Sequence, residues 1–289
     1  MTAAVRLPLH PVTRAAALAD RAVQALVAEA LLTPKPALVD QRGPGVHRDL
    51  DLERLLRSAQ ALRGSFESMA FAATQAATGI ALRETLGALG RQAEAHMLVA
   101  TSGSNAHRGA IWVLGLLVAA RALPGAADVG ATAARAARLA RLPDRQAPPS
   151  RSNGTHACRR FGVTGARGEA AAGFPHVTRI GLPALKSARR RGGDENCARL
   201  DALLAIMTSL DDTCLLHRGG RAALSTAQHG ARGVLALGGS ATGAGRQALL
   251  ALDAELVRRC ASPGGCADLL AACLFLDDLP LQEARPWSF

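Results

Sequence analysis

The stretch DLERLLRSAQALRGSFESMAFAATQ, residues 51–75, decides the fold class. Leu52, Leu55, Leu56, Ala59, Leu62, Phe66, Met69 and Ala73 recur at intervals of three and four, which puts one apolar stripe on an α-helix. On its C-terminal side the stripe continues from Ile80 to Val99 through Leu82, Leu86, Leu89, Ala93 and Met97. On its N-terminal side a helical pattern runs from Val12 to Leu32, and Thr33-Pro34 stops it. Further helices are predicted at His107–Leu123, Ala126–Leu142, Asn196–Leu216, Arg221–Leu237, Arg246–Cys260 and Gly264–Leu276. Ala and Leu are strong helix formers, whereas strand-favouring aromatics make up 3% of the chain and Tyr is absent. The expectation is an all-α protein, residues 1–289 forming a single globular multi-helix domain. Residues 143–160 and 183–195, rich in Pro, Gly and Arg, are expected to be exposed loops.

The 34 Lys and Arg residues outnumber the 23 Asp and Glu, for a formal charge of +11. That balance favours anionic partners, although an arginine-rich composition leaves most of these charges simply solvated. The shortage of aromatics argues against nucleic acid, which is usually held on stacking platforms. No signal-type apolar run opens the chain, and the run Ala110–Ala120 is too short to span a bilayer. A cytoplasmic protein with no membrane partner is expected. The six cysteines form no C-x-x-C pair and no zinc spacing, which suits a reducing compartment.

Five polar clusters interrupt the helices. In Thr33-Pro34-Lys35-Pro36-Ala37-Leu38-Val39-Asp40, followed by His47 and Asp49, two prolines flank a lysine just past a helix end. That suits phosphate, or is a helix stop with an exposed Lys. Ser102-Gly103-Ser104-Asn105-Ala106-His107-Arg108-Gly109 enters an apolar helix, either as an anion site or as an ordinary N-cap. Glu169 follows Gly165-Ala166-Arg167-Gly168 and precedes Gly173-Phe174-Pro175. Asp211-Asp212-Thr213-Cys214-Leu215-Leu216-His217-Arg218 places two carboxylates late in the predicted helix Asn196–Leu216, where the dipole disfavours them. They read as an ion pair with Arg218 or as a Mg²⁺ site for a triphosphate. Ser262-Pro263-Gly264-Gly265-Cys266-Ala267-Asp268 is a capped helix start whose glycines would let a ligand approach the backbone. No Walker loop, Rossmann fingerprint or zincin motif is present.

Taken in order, these clusters, with Glu94 between them, resemble the triphosphoribosyl-dephospho-CoA synthase family from about Glu29 to Leu276. The family pattern reads T-P-K-P-G-L-V-D, H-x-D-M, G-x-N-x-H-[KR]-G-A-I, G-E-A-x-x-G-F-P, D-D-T-N-x-x-H-R-G-G and S-P-G-G-S-A-D-L-L. Here Ala37 replaces Gly, Ser104 departs from Gly-Val, Gly168 stands where an acidic residue is frequent, Cys214 replaces Asn and Cys266 replaces Ser. The resemblance implies transfer of the triphosphoribosyl group of ATP to the 2′-hydroxyl of 3′-dephospho-CoA, with release of adenine. It implies Mg²⁺ and the triphosphate at Asp211 and Asp212, and phosphate contacts from Lys35, Arg108 and Arg218. Glu169 is the implied base, and Asp268 or Glu94 the ribose contacts. Asp40, His47, Asp49, Asn105, His107, His217, Gly264 and Gly265 complete the implied substrate site. The product would pass to an acyl-carrier-protein holo-transferase. The run Arg159-Arg160-Phe161-Gly162-Val163, and the absence of an appended transferase domain, resemble the stand-alone malonate decarboxylase type rather than the citrate lyase type. Rival expectations are a non-catalytic nucleotide- or RNA-binding helical protein and a hydrolase that cleaves a nucleotide glycosidic bond to water.

Overall fold

The computed structural model describes residues 11–75, 79–124, 128–149 and 152–277. Helices dominate, and the extended pairing among the described residues is an isolated bridge between Asp40 and Gly43. α1 (Pro11–Ala30) buries Ala15, Ala19, Ala22 and Leu26 along one stripe and packs on α3 (Arg63–Gln75). α2 (Leu52–Ala61) precedes α3, and α4 (Ile80–Ala100) lies against both. α5 (Arg108–Ala122) is buried nearly all round, as a helix apolar on every face must be. It touches α1, α3, α4 and α6 (Val129–Arg141), and also the other apolar rod, α13 (Gly264–Leu276). α10 (Glu195–Met207) supplies a third apolar rod against α13. One apolar core runs through all of these helices. Truncating a fully buried member such as Leu114 to Ala removes about 2–5 kcal/mol of stability. Among the described residues no helix is long and apolar enough to cross a membrane. All six cysteines are free.

Several boundaries differ from the sequence expectation. The helix of residues 51–75 is divided at the fully buried Leu62. Within 143–160, α7 (Asn153–Phe161) forms on a Ser152 cap whose Oγ accepts the Thr155 N–H at 3.2 Å. Its polar composition disguises a helix with one buried position, Ala157. After α8 (Gly165–Ala171) and a π-helical turn (His176–Gly181), α9 (Leu182–Arg190) occupies most of the predicted loop 183–195. Pro183 is tolerated in its first turn, where its missing N–H has no partner to lose, and Leu185 and Ala188 are buried. The predicted helix Asn196–Leu216 is two helices: α10 ends at Met207, and Asp212 caps the start of α11 (Thr213–Ala236). The two carboxylates therefore sit at a helix N-terminus, where the dipole favours them. α11 is interrupted at Gly220 (φ 64°, ψ −163°), so the expected break before Arg221 is present as a kink between two helical segments, and α12 (Gly243–Arg258) packs along it.

Candidate active site

One cavity of about 1540 Å³ opens between these helices. It is lined by Lys35, His47, Glu94, Asn105, His107, Arg108, Glu169, Asp211, Asp212, His217, Arg218, Gly264, Gly265 and Asp268. Of the sequence-predicted site residues, Asp40 and Asp49 are not part of its wall.

The loop after α1 explains the first cluster. Asp40 is a buried hub that accepts hydrogen bonds from Thr33 Oγ1 (3.1 Å), the backbone N–H groups of Lys35 (2.8 Å) and Arg42 (2.7 Å), and the Arg42 guanidinium (2.9 Å). Burial works to raise its carboxyl, but these donors outweigh burial and hold it below the usual carboxylate range. Asp40 thus shapes the loop. Lys35 is not exposed: its Nζ, 1% accessible, donates to the Glu29 backbone carbonyl (2.8 Å) and to Glu29 Oε1 (2.6 Å). Ala37 has φ 56°, the left-handed conformation for which Gly is suited, and this accounts for the glycine of the family pattern at that position.

α11 and α13 meet head to head. Asp212 Oδ1 accepts the N–H groups of Cys214 (2.8 Å) and Leu215 (3.2 Å), while Oδ2 accepts that of Cys266 (2.8 Å). A Cβ at Gly265 would stand 3.1 Å from Asp212 Oδ2, and one at Gly264 would stand 3.0 Å from Cys214 Sγ. The glycine pair is therefore explained by this close joint. Cys214 and Cys266 contribute backbone N–H groups to it, which Asn and Ser would supply equally. Burial pushes both thiols well above their usual range. Both Asp212 oxygens are committed to this joint, so the Asp211–Asp212 pair does not fit the divalent ion expected of it. No group of three or more metal-ligating side chains occurs among the described residues. Asp211 itself is exposed to the cavity.

Asp268 lies one turn into α13 and accepts the Ala110 N–H at the start of α5. Gly109 makes room for it, since a Cβ there would fall 2.0 Å from Asp268 Oδ2. Burial, then the charges of Glu29 and Asp212, push the Asp268 carboxyl well up. Nearby, His47 joins Arg218 (3.3 Å from Nδ1) to Ser262 (3.2 Å from Nε2). Burial and the Arg218 charge lower His47 to about 4, so it is a neutral acceptor. Ser262 serves this contact, and Pro263 rather than Ser262 precedes the first turn of α13.

At the entry to α5, Asn105 Oδ1 accepts the Arg108 N–H (3.2 Å), and Arg108 pairs with Glu94 (3.0 Å). His107 is buried, with Nδ1 2.7 Å from Ser58 Oγ and Nε2 without a partner. Burial, then the Lys35 charge, lower it to about 3. A neutral imidazole with an unsatisfied nitrogen lining a cavity is suited to a ligand's polar group.

Glu169 is not free. Its Oε1 accepts the His176 backbone N–H (2.8 Å), and its Oε2 accepts His176 Nδ1–H (2.8 Å). The hydrogen bond from Glu169 raises the His176 imidazole above its ordinary value. His176 also lines the cavity, and neither composition nor spacing had singled it out. A residue immediately after Gly173-Phe174-Pro175 that completes a carboxylate–imidazole pair is visible only once the π-helical turn brings it back to α8.

Sequence reading also missed a cationic wall. Arg83 and Arg91 of α4 share Asp144, at 3.7 and 2.9 Å. Asp144 lies against Gly87, where a Cβ would fall 1.9 Å from its Oδ2. The guanidiniums of Arg83 and Arg167 stand 5.0 and 5.8 Å from the Trp112 ring centre, and Trp112 Nε1 donates to the Ala166 carbonyl (3.2 Å).

The ATP:dephospho-CoA triphosphoribosyl transferase family model matches residues 15–286. The 2-(5″-triphosphoribosyl)-3′-dephosphocoenzyme-A synthase of Klebsiella pneumoniae is 55% identical over 271 residues, covering 93% of this chain and 97% of its own length. A protein of Stutzerimonas stutzeri named "Probable 2-(5″-triphosphoribosyl)-3′-dephosphocoenzyme-A synthase" is 56% identical over 271 residues, covering 93% of each chain. One of the same name from Pseudomonas syringae pv. tomato is 55% identical over 281 residues, covering 96% of each. No solved structure matches the chain. With a family model spanning nearly the whole chain and relatives more than half identical, the chain belongs to the ATP:dephospho-CoA triphosphoribosyl transferase family.

Proposed function

We propose that this protein transfers the 5-triphosphoribosyl group of ATP to the 2′-hydroxyl of 3′-dephospho-CoA and releases adenine. The observation that carries this reading is that clusters separated by up to 233 residues, from Lys35 to Asp268 with an intervening run of Glu94, His107, Glu169 and Asp211, line one cavity. The acceptor oxygen bonds to ribose C1′ as the C1′–N9 bond breaks, and that bond's electron pair leaves with adenine. The proton lost by the hydroxyl equals the one adenine gains. Glycoside cleavage of this kind passes through an oxocarbenium-like centre. Asp211, whose carboxylate has no hydrogen-bond partner among the described residues, and Asp268 supply negative or accepting groups for that centre and for the ribose hydroxyls.

The base assignment moves by one residue. Both Glu169 oxygens are held by His176, so the hydroxyl proton is assigned to the His176 imidazole, which Glu169 orients through Nδ1 and which also faces the Ser209 backbone. The divalent ion has no two-carboxylate seat at Asp211–Asp212, and no step here runs through one. The ATP and dephospho-CoA substrates suit a cytoplasmic enzyme. The product is taken to serve malonate decarboxylase through a holo-transferase, a reading supported by the run Arg159–Val163 alone. Incubation with ATP and dephospho-CoA, followed by mass spectrometry, tests the activity. Adenine and the triphosphoribosyl adduct are expected only when both substrates are present. Adenine released without dephospho-CoA would indicate a hydrolase, and no adenine from folded protein would indicate a non-catalytic binder. Supplying that product and a holo-transferase to apo-carriers of malonate decarboxylase and citrate lyase tests the partner.

A further inference from the structure

We infer that the wall formed by Arg83, Arg91 and Arg167 around Trp112 binds the polyphosphate chain of a substrate. The inference rests on the transfer reaction proposed above, but assigns the phosphates to a different part of the cavity from the Asp211–Asp212 end.

The charges divide unevenly. Lys35 is already paired with Glu29, so the end of the cavity holding Asp211, Asp212 and Asp268 keeps two cations among the described residues, Arg218 and Arg159 of α7, the helix that packs on α11. A chain of phosphates placed there would meet the exposed Asp211 carboxylate, and the oxygens of Asp212 are already committed to backbone N–H groups. At the wall the surplus is reversed: three guanidiniums face one carboxylate, Asp144. Arg108 and Glu94, farther along the same side, neutralise each other.

Arg83 is the strongest indication. Its side chain is 8% accessible, its nearest carboxylate oxygen is 3.7 Å away, and its buried Nε has no hydrogen-bond partner among the described residues. Burying a guanidinium without a close anion is costly, and a ligand that brings the anion removes the cost. The backbone of α4 suits an elongated ligand. Arg83 and Arg91 lie eight residues apart, about 12 Å along the helix axis. Between them, a Cβ at Gly90 would meet nothing within 4 Å, which leaves bare helix surface facing the cavity. Trp112 holds the guanidiniums of Arg83 and Arg167 beside its ring, fixing two long side chains before the ligand arrives. Forked guanidiniums held this way suit phosphate oxygens.

Both substrates carry phosphate esters, a triphosphate on ATP and a diphosphate on dephospho-CoA, so the test has an arm for each. The double variant R91Q/R167Q removes two exposed or half-exposed charges and leaves the buried Arg83 in place, and its melting curve checks the fold. Inorganic tripolyphosphate is the direct probe, titrated by calorimetry and as an inhibitor of turnover. The variant is expected to bind tripolyphosphate at least about tenfold more weakly, as loss of charge-assisted hydrogen bonds requires. KM should rise for the substrate whose phosphates lie on the wall. A rise for ATP places the triphosphate there, and a rise for dephospho-CoA places the diphosphate there. Unchanged tripolyphosphate binding and unchanged KM values in a folded variant would overturn the inference. If the wild type released no adenine, the transfer reading would fail instead, and calorimetry with tripolyphosphate would still decide whether the wall binds polyphosphate.

Discussion

The two sides of the cavity are built by different means. On the acidic side, three carboxyl groups are fixed by helix termini: Asp212 caps α11 and grips α13, Asp268 of α13 accepts an N–H from the first turn of α5, and Glu169 clamps the turn that follows α8. On the cationic side, side chains project along one helix, Arg83, Arg91 and Glu94 of α4, and meet Asp144 and Arg167 from elsewhere. Groups tied to backbone N–H donors are rigid and suited to chemistry at fixed atoms. Long arginines on a helix face are suited to holding charge. If the two sides are divided in this way, lesions on the acidic side should act on turnover and those on the wall on binding.

The largest effect is expected at the dyad. His176→Asn and Glu169→Gln should each lower kcat/KM by about a hundredfold or more. The pH profile separates their roles. His176 acts when neutral, and its hydrogen bond to Glu169 raises its titration above the ordinary imidazole value, so activity should rise with pH through a midpoint above about 6.5. Glu169→Gln removes the raising charge and should move that limb to lower pH. A limb that stays in place would assign Glu169 a packing role only.

Asp212→Asn comes next and tests whether this carboxylate is a joint or a metal ligand. Loss of charge-assisted bonds to three N–H groups should cost about 2–3 kcal/mol, roughly 5–10 °C in Tm. An unchanged Tm together with an altered magnesium requirement would reinstate the metal reading.

A smaller effect concerns acid stability. In the folded protein His107 and His47 are held neutral down to about 3 and 4, whereas the unfolded chain protonates them below about 6.5. The unfolded state then binds more protons, so the contribution of these two imidazoles to stability should be flat above pH 6.5 and fall as pH drops through that window, by up to about 1.4 kcal/mol per pH unit for each proton. Tm measured against pH should fall less steeply for His107→Gln than for the wild type. Parallel slopes would contradict the buried neutral imidazole.

The smallest effect is expected at Ala37→Gly. Relief of the left-handed strain at φ 56° is worth about 1–2 kcal/mol, while the lost buried methyl and the added chain entropy oppose it by a similar amount. A net change within about 1 kcal/mol in denaturant unfolding is expected. A loss above about 2 kcal/mol would mean that the methyl packing dominates.

How legible each side was in the sequence follows from the same difference. The acidic side is local in sequence: Asp211-Asp212 and Ser262–Asp268 each compress their chemistry into one turn, so the motifs stood out even where their roles were misread. Asp212 was misread because the break at residues 208–212 was not visible in a continuous apolar pattern. Lys35 was misread as a free charge because its partner, Glu29, precedes it across a helix end. The wall was invisible because Arg83 and Arg91 fall on a helix rich in other polar residues and look like solvated charge. The carboxylate they share, Asp144, lies 61 residues from Arg83 and 53 from Arg91. The helices themselves were legible wherever an apolar stripe ran for three turns or more. α7 and α9 were not, since each is nine residues long and carries one to three buried positions.

The most direct test of this division is a calorimetric titration of ATP into the Glu169→Gln variant, set beside its turnover. The account predicts a dissociation constant within about twofold of the wild-type value while turnover falls about a hundredfold. A loss of ATP affinity parallel to the loss of turnover would contradict it, because the acidic side would then be contributing to binding and not to turnover alone.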